Sequence, residues 1–385
     1  MKQLGVALIG HSFMGAVHSQ AWRTVGHVYD LPARPMRTVL VGRRAQGAAH
    51  AAERLGWQDS TDDWKSVLRR QDVDIIDICT PGDSHAEIAV AALEAGKHVL
   101  CEKPLATTVA EAESMADAAR RARAHGPHAM AGFTYRRVPA LALARQLIAE
   151  GRLGEIRHVR AAYLQDWLSD PSAPFSWRLQ RERAGAGALG DIGSHIIDLS
   201  QYLLDDTIDG VSAQTATFVG RRPLSDKPER TGQVTVDDAA AFTARFTGGA
   251  LATYEATRYA TGRKNALRIE VNGTCGSMSF DFESMNELAF YDTAQDTGGT
   301  AGFRRIQATE PGHPYLEGWW PPGHGLGYEH AFTHQARDLV TAIADGTDPA
   351  PGFEEGLRVQ RVIAAVEASA ADSSRYTPVD RPGSV

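Results

Sequence analysis

The sequence predicts an α/β fold in two parts: a doubly wound parallel sheet at the N-terminal end, then an α/β domain on a large open, mainly antiparallel sheet. Three observations predict it. Short apolar runs alternate with helical patterns as far as Phe133, the signature of βαβ units. A glycine-containing turn, Gly10 to Gly15, joins the first apolar run to the first helix. From Ile156 onward, apolar and polar residues alternate as in half-buried strands. A chain of 385 residues is long enough for two to three domains, and the change of pattern divides it into residues 1–133 and 134–385.

In order, Leu4 to Ile9 reads as a strand buried on both faces, because it is continuously apolar. A helix follows over Ala16 to Val25, then a strand over Thr38 to Val41 and a helix over Ala45 to Leu55. Val73 to Cys79 is the third strand, Ala86 to Ala95 its helix, and Gly96 the helix stop. Lys97 to Cys101, the helix Glu111 to His125 and the strand His128 to Phe133 complete the sheet. Such a sheet binds its ligand beyond the carboxyl ends of its strands. In the second part, strands are expected at Ile156 to Leu164, Val211 to Val219, Ala239 to Phe246, Ala250 to Thr257, Leu267 to Val271, Ser277 to Phe282 and Leu288 to Tyr291. Two helices, Tyr328 to Ala344 and Glu354 to Ala371, close the chain, and Ser225 to Gly232 reads as a plain polar connection.

Composition removes several function classes. With 43% apolar and 23% charged residues the chain is an ordinary globular one, not a disordered or fibrous one. No apolar run approaches the ~18 residues of a membrane span, and no signal segment is visible, so a cytoplasmic protein without membrane partners is expected. A net charge of −7 gives no general attraction to nucleic acid. Three widely separated cysteines, Cys79, Cys101 and Cys275, suggest neither disulfides nor structural zinc. His330 and His334, four apart on a helix, have metal-ligand spacing, but only Glu329 is near as a third ligand, and no metal is expected. The basic run Arg120 to Arg123 suits a helix C-terminus.

Chemistry enters at the first turn. A dinucleotide fold needs glycine for the tight turn and for close helix–strand packing. Gly10 and Gly15 take those places, with Ser12, Phe13 and Met14 between them; Ser12 stands where the phosphate-approaching glycine is usual. An Asp or Glu at the end of the second strand would bind a free ribose 2′-hydroxyl, but this strand ends in Arg43-Arg44. Guanidinium groups bind phosphate bidentately, so the cofactor is expected to be NAD(P), with NADP favoured.

Four segments in order resemble the Gfo/Idh/MocA oxidoreductases, the group of glucose–fructose oxidoreductase and inositol dehydrogenase. Glu102-Lys103-Pro104 resembles the family's E-K-P signature. Gly10 to His18 resembles its G-x-G-x-x-G-x-x-H start, and Thr80-Pro81 to His85 its T-P-x-x-x-H turn. Gly187 to His195 resembles a glycine-led segment ending D-x-G-x-H, with Ala188 in place of the second glycine. The resemblance implies a Rossmann domain followed by a substrate domain whose open sheet makes a homodimer or homotetramer. It implies catalytic roles for Lys103, Asp191 and His195. It also places Thr80, Pro81, His85, Glu102, Lys103, Trp177 and Arg178 at the cofactor.

Oxidising a secondary alcohol requires removal of the hydroxyl proton as hydride leaves carbon. His195 has the ordinary pKa best suited to a general base. Lys103 could hold the alkoxide charge or, desolvated, be the base itself. Asp191 would orient His195 or bind a hydroxyl. Tyr135 in Phe133-Thr134-Tyr135-Arg136-Arg137, Gln165 and Trp167 in Gln165-Asp166-Trp167, and the Trp177-Arg178 pair mix aromatic faces with polar groups, as sugar sites do. Gln165-Asp166-Trp167 also resembles branches of the family acting on glucosides and anhydrosugars, levoglucosan dehydrogenases among them. The expected function is therefore NAD(P)-dependent oxidation of a secondary hydroxyl of a sugar, glycoside, anhydrosugar or cyclitol, or the reverse. The alternatives are a glycosidase working by transient oxidation and elimination, and a sugar-responsive binding regulator.

Overall fold

A computed structural model describes residues 2–380. The chain compacts into two units that no single cut separates. The first comprises residues up to Arg137 with Glu317–Trp319 and Gly327–Leu357; the second comprises Val138–Leu316, Trp320–Leu326 and the residues from Arg358 onward. This differs from the single boundary expected at 133/134. The helix Tyr328–Asp345 carries Phe332, Ala336, Leu339 and Val340 on one face, and they are buried in one core with Trp22, Val25 and Leu31. That apolar stripe at helical spacing returns the chain to the first unit.

The first unit is a six-stranded parallel sheet: β1 (Lys2–Ile9), β2 (Ala33–Val41), β3 (Asp59–Thr61), β4 (Ile75–Ile78), β5 (His98–Cys101) and β6 (Ala129–Ala131), in the order β3-β2-β1-β4-β5-β6. The order reverses between β1 and β4, where a doubly wound sheet opens its ligand crevice. Its helices are α1 (Phe13–Val28), α2 (Ala45–Leu55), α3 (His85–Glu94) and α4 (Val109–Arg123). α1 starts three residues earlier than the sequence pattern suggests, directly after Ser12. The edge strand β3 carries no apolar residue and left no signal in the pattern. Arg120 pairs with Glu354, and Arg123 with Asp348, so the basic run ties α4 to later chain in addition to facing the helix dipole.

The second unit holds a nine-stranded sheet: β7 (Ile156–Leu164), β8 (Ile208–Ala216), β11 (Ala239–Phe246), β12 (Leu251–Thr257), β13 (Ala266–Gly273), β14 (Gly276–Asp281), β15 (Glu287–Asp292), β16 (Arg304–Gln307) and β17 (Thr377–Pro378). The order is β16-β15-β14-β13-β7-β12-β11-β8-β17; only β7 and β12 pair in parallel. Alternation decides its faces: in β11, Ala240, Phe242, Ala244 and Phe246 are buried. The helices α5 (Pro139–Ala149) and α6 (Ser194–Leu204) also belong to this unit and bury apolar residues. Arg160 and Glu270 form an exposed ion pair across β7 and β13 at 2.9 Å. Residues 225–230 are the polar connection expected, and Thr231 and Gly232 go beyond it: the connection joins β9 (Arg221–Pro223) to β10 (Thr231–Gln233) in a small hairpin. No helix among the described residues is long and apolar enough to cross a membrane.

Candidate active site

The first unit holds a candidate nucleotide cradle made of strand-end turns. Gly10 has φ +99°, and a Cβ there would stand 2.6 Å from the Cys79 carbonyl oxygen; only glycine meets both demands. Ser12 precedes α1 without capping it, and the first turn of α1 holds no acidic residue. The helix therefore offers its positive end uncompensated, as anion binding requires. Phe13 is exposed and stacks on Tyr328, while Met14 is partly buried and Gly15 buried. Arg43 and Arg44 are exposed between β2 and α2, with Arg44 preceding the helix.

Two further turns meet through His85. Its Nε2 lies 3.0 Å from the Thr80 carbonyl oxygen and its Nδ1 3.1 Å from that of Pro104. Pro81 starts the short turn between Thr80 and His85, and the Lys103–Pro104 peptide is cis. His85 is thus a buried strut between the Thr80-Pro81 and Glu102-Lys103-Pro104 turns.

Beneath them lies a closed trio. His18, Asp77 and Glu102 are 1%, 0% and 4% exposed. His18 Nδ1 is 2.9 Å from Asp77 Oδ1 and its Nε2 is 3.1 Å from Glu102 Oε1. Trp22 Nε1 donates to Asp77 Oδ2 at 2.7 Å, and the Lys103 N–H donates to Glu102 Oε2 at 3.3 Å. Burial works most strongly on His18 and disfavours its charge, yet Asp77, with Cys79 beside it, raises the ring's pKa well above the ordinary 6.5. Both ring nitrogens then donate to carboxylates. Burial pushes the Cys79 thiol up. Among the described residues His18, Asp77 and Cys79 have metal-ligand spacing, but the imidazole nitrogens are already engaged by the two carboxylates.

The remaining first-unit candidates are anchored by buried side chains. Tyr135 is buried in the turn Thr134–Arg137. Thr134 donates to Gln335, and Arg137 Nε to Asp338 at 2.8 Å. The His330/His334 pair is a packing feature. Trp319 Nε1 lies 2.8 Å from His334 Nε2, His334 Nδ1 lies 2.8 Å from the Arg137 carbonyl, and burial pushes the ring down to about 3.

In the second unit, the D-x-G-x-H segment is not a plain α-helix. Leu189–Gly193 is a π-helical turn running into α6, so Asp191 lies on the wider turn and His195 in the first α turn. Such turns recur at functional sites. Asp237 makes this one: its carboxylate accepts the N–H groups of Gly187 at 2.7 Å and Leu189 at 2.8 Å. A Cβ at Gly187 would lie 1.7 Å from the Asp237 carbonyl oxygen, which explains the glycine.

A circuit of contacts joins all four second-unit substrate candidates. Asp191 Oδ2 is 3.6 Å from Arg258 Nη1, and the Arg258 guanidinium lies 5.4 Å from the centre of the Trp167 ring. Trp167 Nε1 donates to Gln165 Oε1 at 3.0 Å, and Gln165 Nε2 donates to Asn265 Oδ1 at 2.8 Å. Tyr163 donates to the same Asn265 oxygen at 2.7 Å, and its ring is 5.8 Å from that of His195. Trp177 and Arg178 stack on each other at 4.5 Å further along the loop. Tyr163, Asp237, Arg258 and Asn265 escaped the sequence reading. The only signals were polar residues at strand ends and the buried acid pair Asp237-Asp238.

Known proteins resemble this chain in sequence and in fold. The N-terminal domain described as "Oxidoreductase family, NAD-binding Rossmann fold" matches residues 4–125, and the GFO/IDH/MocA C-terminal domain matches residues 141–279. Levoglucosan dehydrogenase of Pseudarthrobacter phenanthrenivorans is 42% identical over 97% of this chain and 98% of its own length. The crystal structure of an oxidoreductase domain protein from Kribbella flavida is 62% identical, with a TM-score of 0.96 over 99% of this chain and 100% of that one. A levoglucosan dehydrogenase in complex with NADH and levoglucosan is 42% identical, with a TM-score of 0.94 over 98% of this chain and 100% of that one. The chain belongs to the GFO/IDH/MocA oxidoreductase family, with its NAD-binding Rossmann fold followed by the family's C-terminal domain.

Proposed function

We propose that this chain is an NAD(P)-dependent dehydrogenase that oxidises a secondary hydroxyl of a compact pyranose, an anhydrosugar above all, to the ketone, or catalyses the reverse reduction. The observation that carries this is the 42% identity to levoglucosan dehydrogenase across 97% of the chain, in a sequence that contains Lys103, Asp191, His195 and Gln165-Asp166-Trp167. In the proposed assignment Gly10, Ser12, Phe13, Met14 and Gly15 hold the pyrophosphate. Thr80, Pro81, Trp177 and Arg178 are further cofactor contacts, and His85 and Glu102 shape the turns from within. The relatives solved with NADH support NAD, whereas Arg43 and Arg44 suit a 2′-phosphate; both cofactors bind, with Arg43 setting the ratio.

When bound, the nicotinamide supplies the hydride acceptor. Lys103 holds the charge developing on the substrate oxygen. His195 takes the hydroxyl proton. Asp191, Gln165, Trp167 and Tyr135 orient the ring through its hydroxyls and apolar face. The chain acts in the cytoplasm and assembles with copies of itself through the nine-stranded sheet, whose exposed ion pairs suit a self-complementary contact.

The test is a panel of pyranoses, anhydrosugars and inositols with NAD and with NADP, followed at the absorbance of the reduced nicotinamide. Lys103→Ala is expected to lower kcat by about 10²–10⁴-fold, with NADH binding by fluorescence preserved. Turnover within a few-fold of wild type would remove Lys103 from the site. Release of a chromogenic aglycone without net cofactor reduction would point to the transient-oxidation glycosidase instead.

A further inference from the structure

Two arginines are buried completely in the second unit beside the loop that carries Trp167, and they are satisfied in opposite ways. Arg222 Nη1 donates to the carbonyls of Asp170 at 2.7 Å and Ala173 at 3.2 Å, and its Nη2 to that of Leu168 at 2.6 Å and to the Tyr259 hydroxyl. It staples the loop. Arg258 donates one side-chain hydrogen bond, from Nη2 to the Asp237 carbonyl at 3.1 Å, while its Nε and Nη1 make none. Instead it faces the Asp191 carboxylate at 3.6 Å and the Trp167 ring at 5.4 Å.

We propose that Arg258 is a positioning residue: its buried guanidinium fixes the Asp191 carboxylate and the face of Trp167 together, and so sets how substrate hydroxyls and ring are held. The inference rests on the assignment of Asp191 and Trp167 to the substrate site. A buried cation with a single carbonyl partner is costly unless a carboxylate balances it. The neighbouring acids each hold another partner through at least one oxygen. Asp237 accepts Gly187 and Leu189, Asp238 Oδ2 accepts Phe218 and Val219, and Asp166 pairs with Lys264. The unpartnered Asp238 Oδ1 is the other acid oxygen on this side, Tyr259 is bonded to Arg222, and His195 lies four residues from Asp191 on the helix. Asp191 is the carboxylate the structure sets at ion-pair distance from Arg258. The cation also draws the indole by cation–π attraction, so one buried charge couples an acid on the π-helical turn to an aromatic face on the loop.

The test compares Arg258→Met, Arg258→Lys and Asp191→Asn, alone and combined. Arg258→Met is expected to lower kcat/KM by about 10- to 100-fold, with NADH affinity within about two-fold of wild type as the control for folding. Loss of the cation should move the acidic limb of the kcat/KM profile up by about one pH unit. Arg258→Lys keeps the charge and guards against a Met variant that fails to fold. It should keep the limb in place and lose about 3- to 10-fold, since an ammonium lacks the planar fork. In the Asp191→Asn background the Met substitution should cost less than about three-fold. Equal costs in both backgrounds, an unmoved acidic limb in the Met variant, or a limb that moves in the Lys variant would each overturn the inference while leaving the assigned site intact. Full activity of Asp191→Asn would overturn the site and the inference together.

Discussion

In the first unit the His18 ring sits between two buried carboxylates, with contacts of 2.9 and 3.1 Å. In the second, Arg258 has one carbonyl partner and a carboxylate at 3.6 Å whose side chain is 28% exposed. Both are buried cations, yet they do different work. The closed trio has traded solvent for short hydrogen bonds and serves as a frame, holding the Glu102-Lys103 turn over β4 and β5. The looser pair lies beside a partly exposed acid, which suits a group that must meet a substrate. Buried charge can therefore fix a backbone or hold a side chain poised, and the distance to its counter-charge distinguishes the two.

The largest expected break in this comparison is His18→Leu. It strands two buried carboxylates and should cost about 3–5 kcal/mol in urea unfolding at pH 7. Tyr163→Phe in the second unit's circuit removes one hydrogen bond and should cost about 0.5–1.5 kcal/mol. Similar losses for the two would show that the trio is no stronger than a neutral contact.

The pH dependence of unfolding sharpens it next. His18 is raised above 6.5, so its stabilisation is complete below that value and is lost as pH rises through its folded pKa. His334 runs the other way, pushed down from 6.5 to about 3. Between those values the unfolded chain binds a proton that the folded chain does not, and stability falls on acidification by up to about 1.4 kcal/mol per pH unit. Denaturant midpoints from pH 4 to 7 should show that slope, and His334→Gln should flatten it; an unchanged slope would assign it to other groups. Smallest is Arg43→Ala, expected to weaken NADP binding by about ten-fold and NAD binding by less than about two-fold. Equal weakening would remove the 2′-phosphate assignment.

How far the site was legible follows the range of the interactions. Gly10 shows in the sequence because a positive φ is a local demand, and Lys103, Asp191 and His195 because they lie in contiguous motifs. Asp77 was half legible: an acid inside Ile75-Ile76-Asp77-Ile78, a strand buried on both faces, must have a partner, but nothing nearby names His18. Arg258 and Asn265 were not legible at all. Gln165 is brought beside Asn265 by the pairing of β7 with β13, and Asp191 beside Arg258 where the π-helical turn packs on β12.

By itself the sequence determined the two kinds of sheet, through continuous apolar runs in one half and alternation in the other, and it nominated the candidate site residues. Only the tertiary structure decided the return of Tyr328–Asp345 to the first unit, the π-helical turn under Asp191 and the partners of each buried charge. Periodicity and turn chemistry act over a few residues and can be read in order. The counter-charge of a buried group is chosen by whichever strand or helix packs against it, and chain order does not encode that choice.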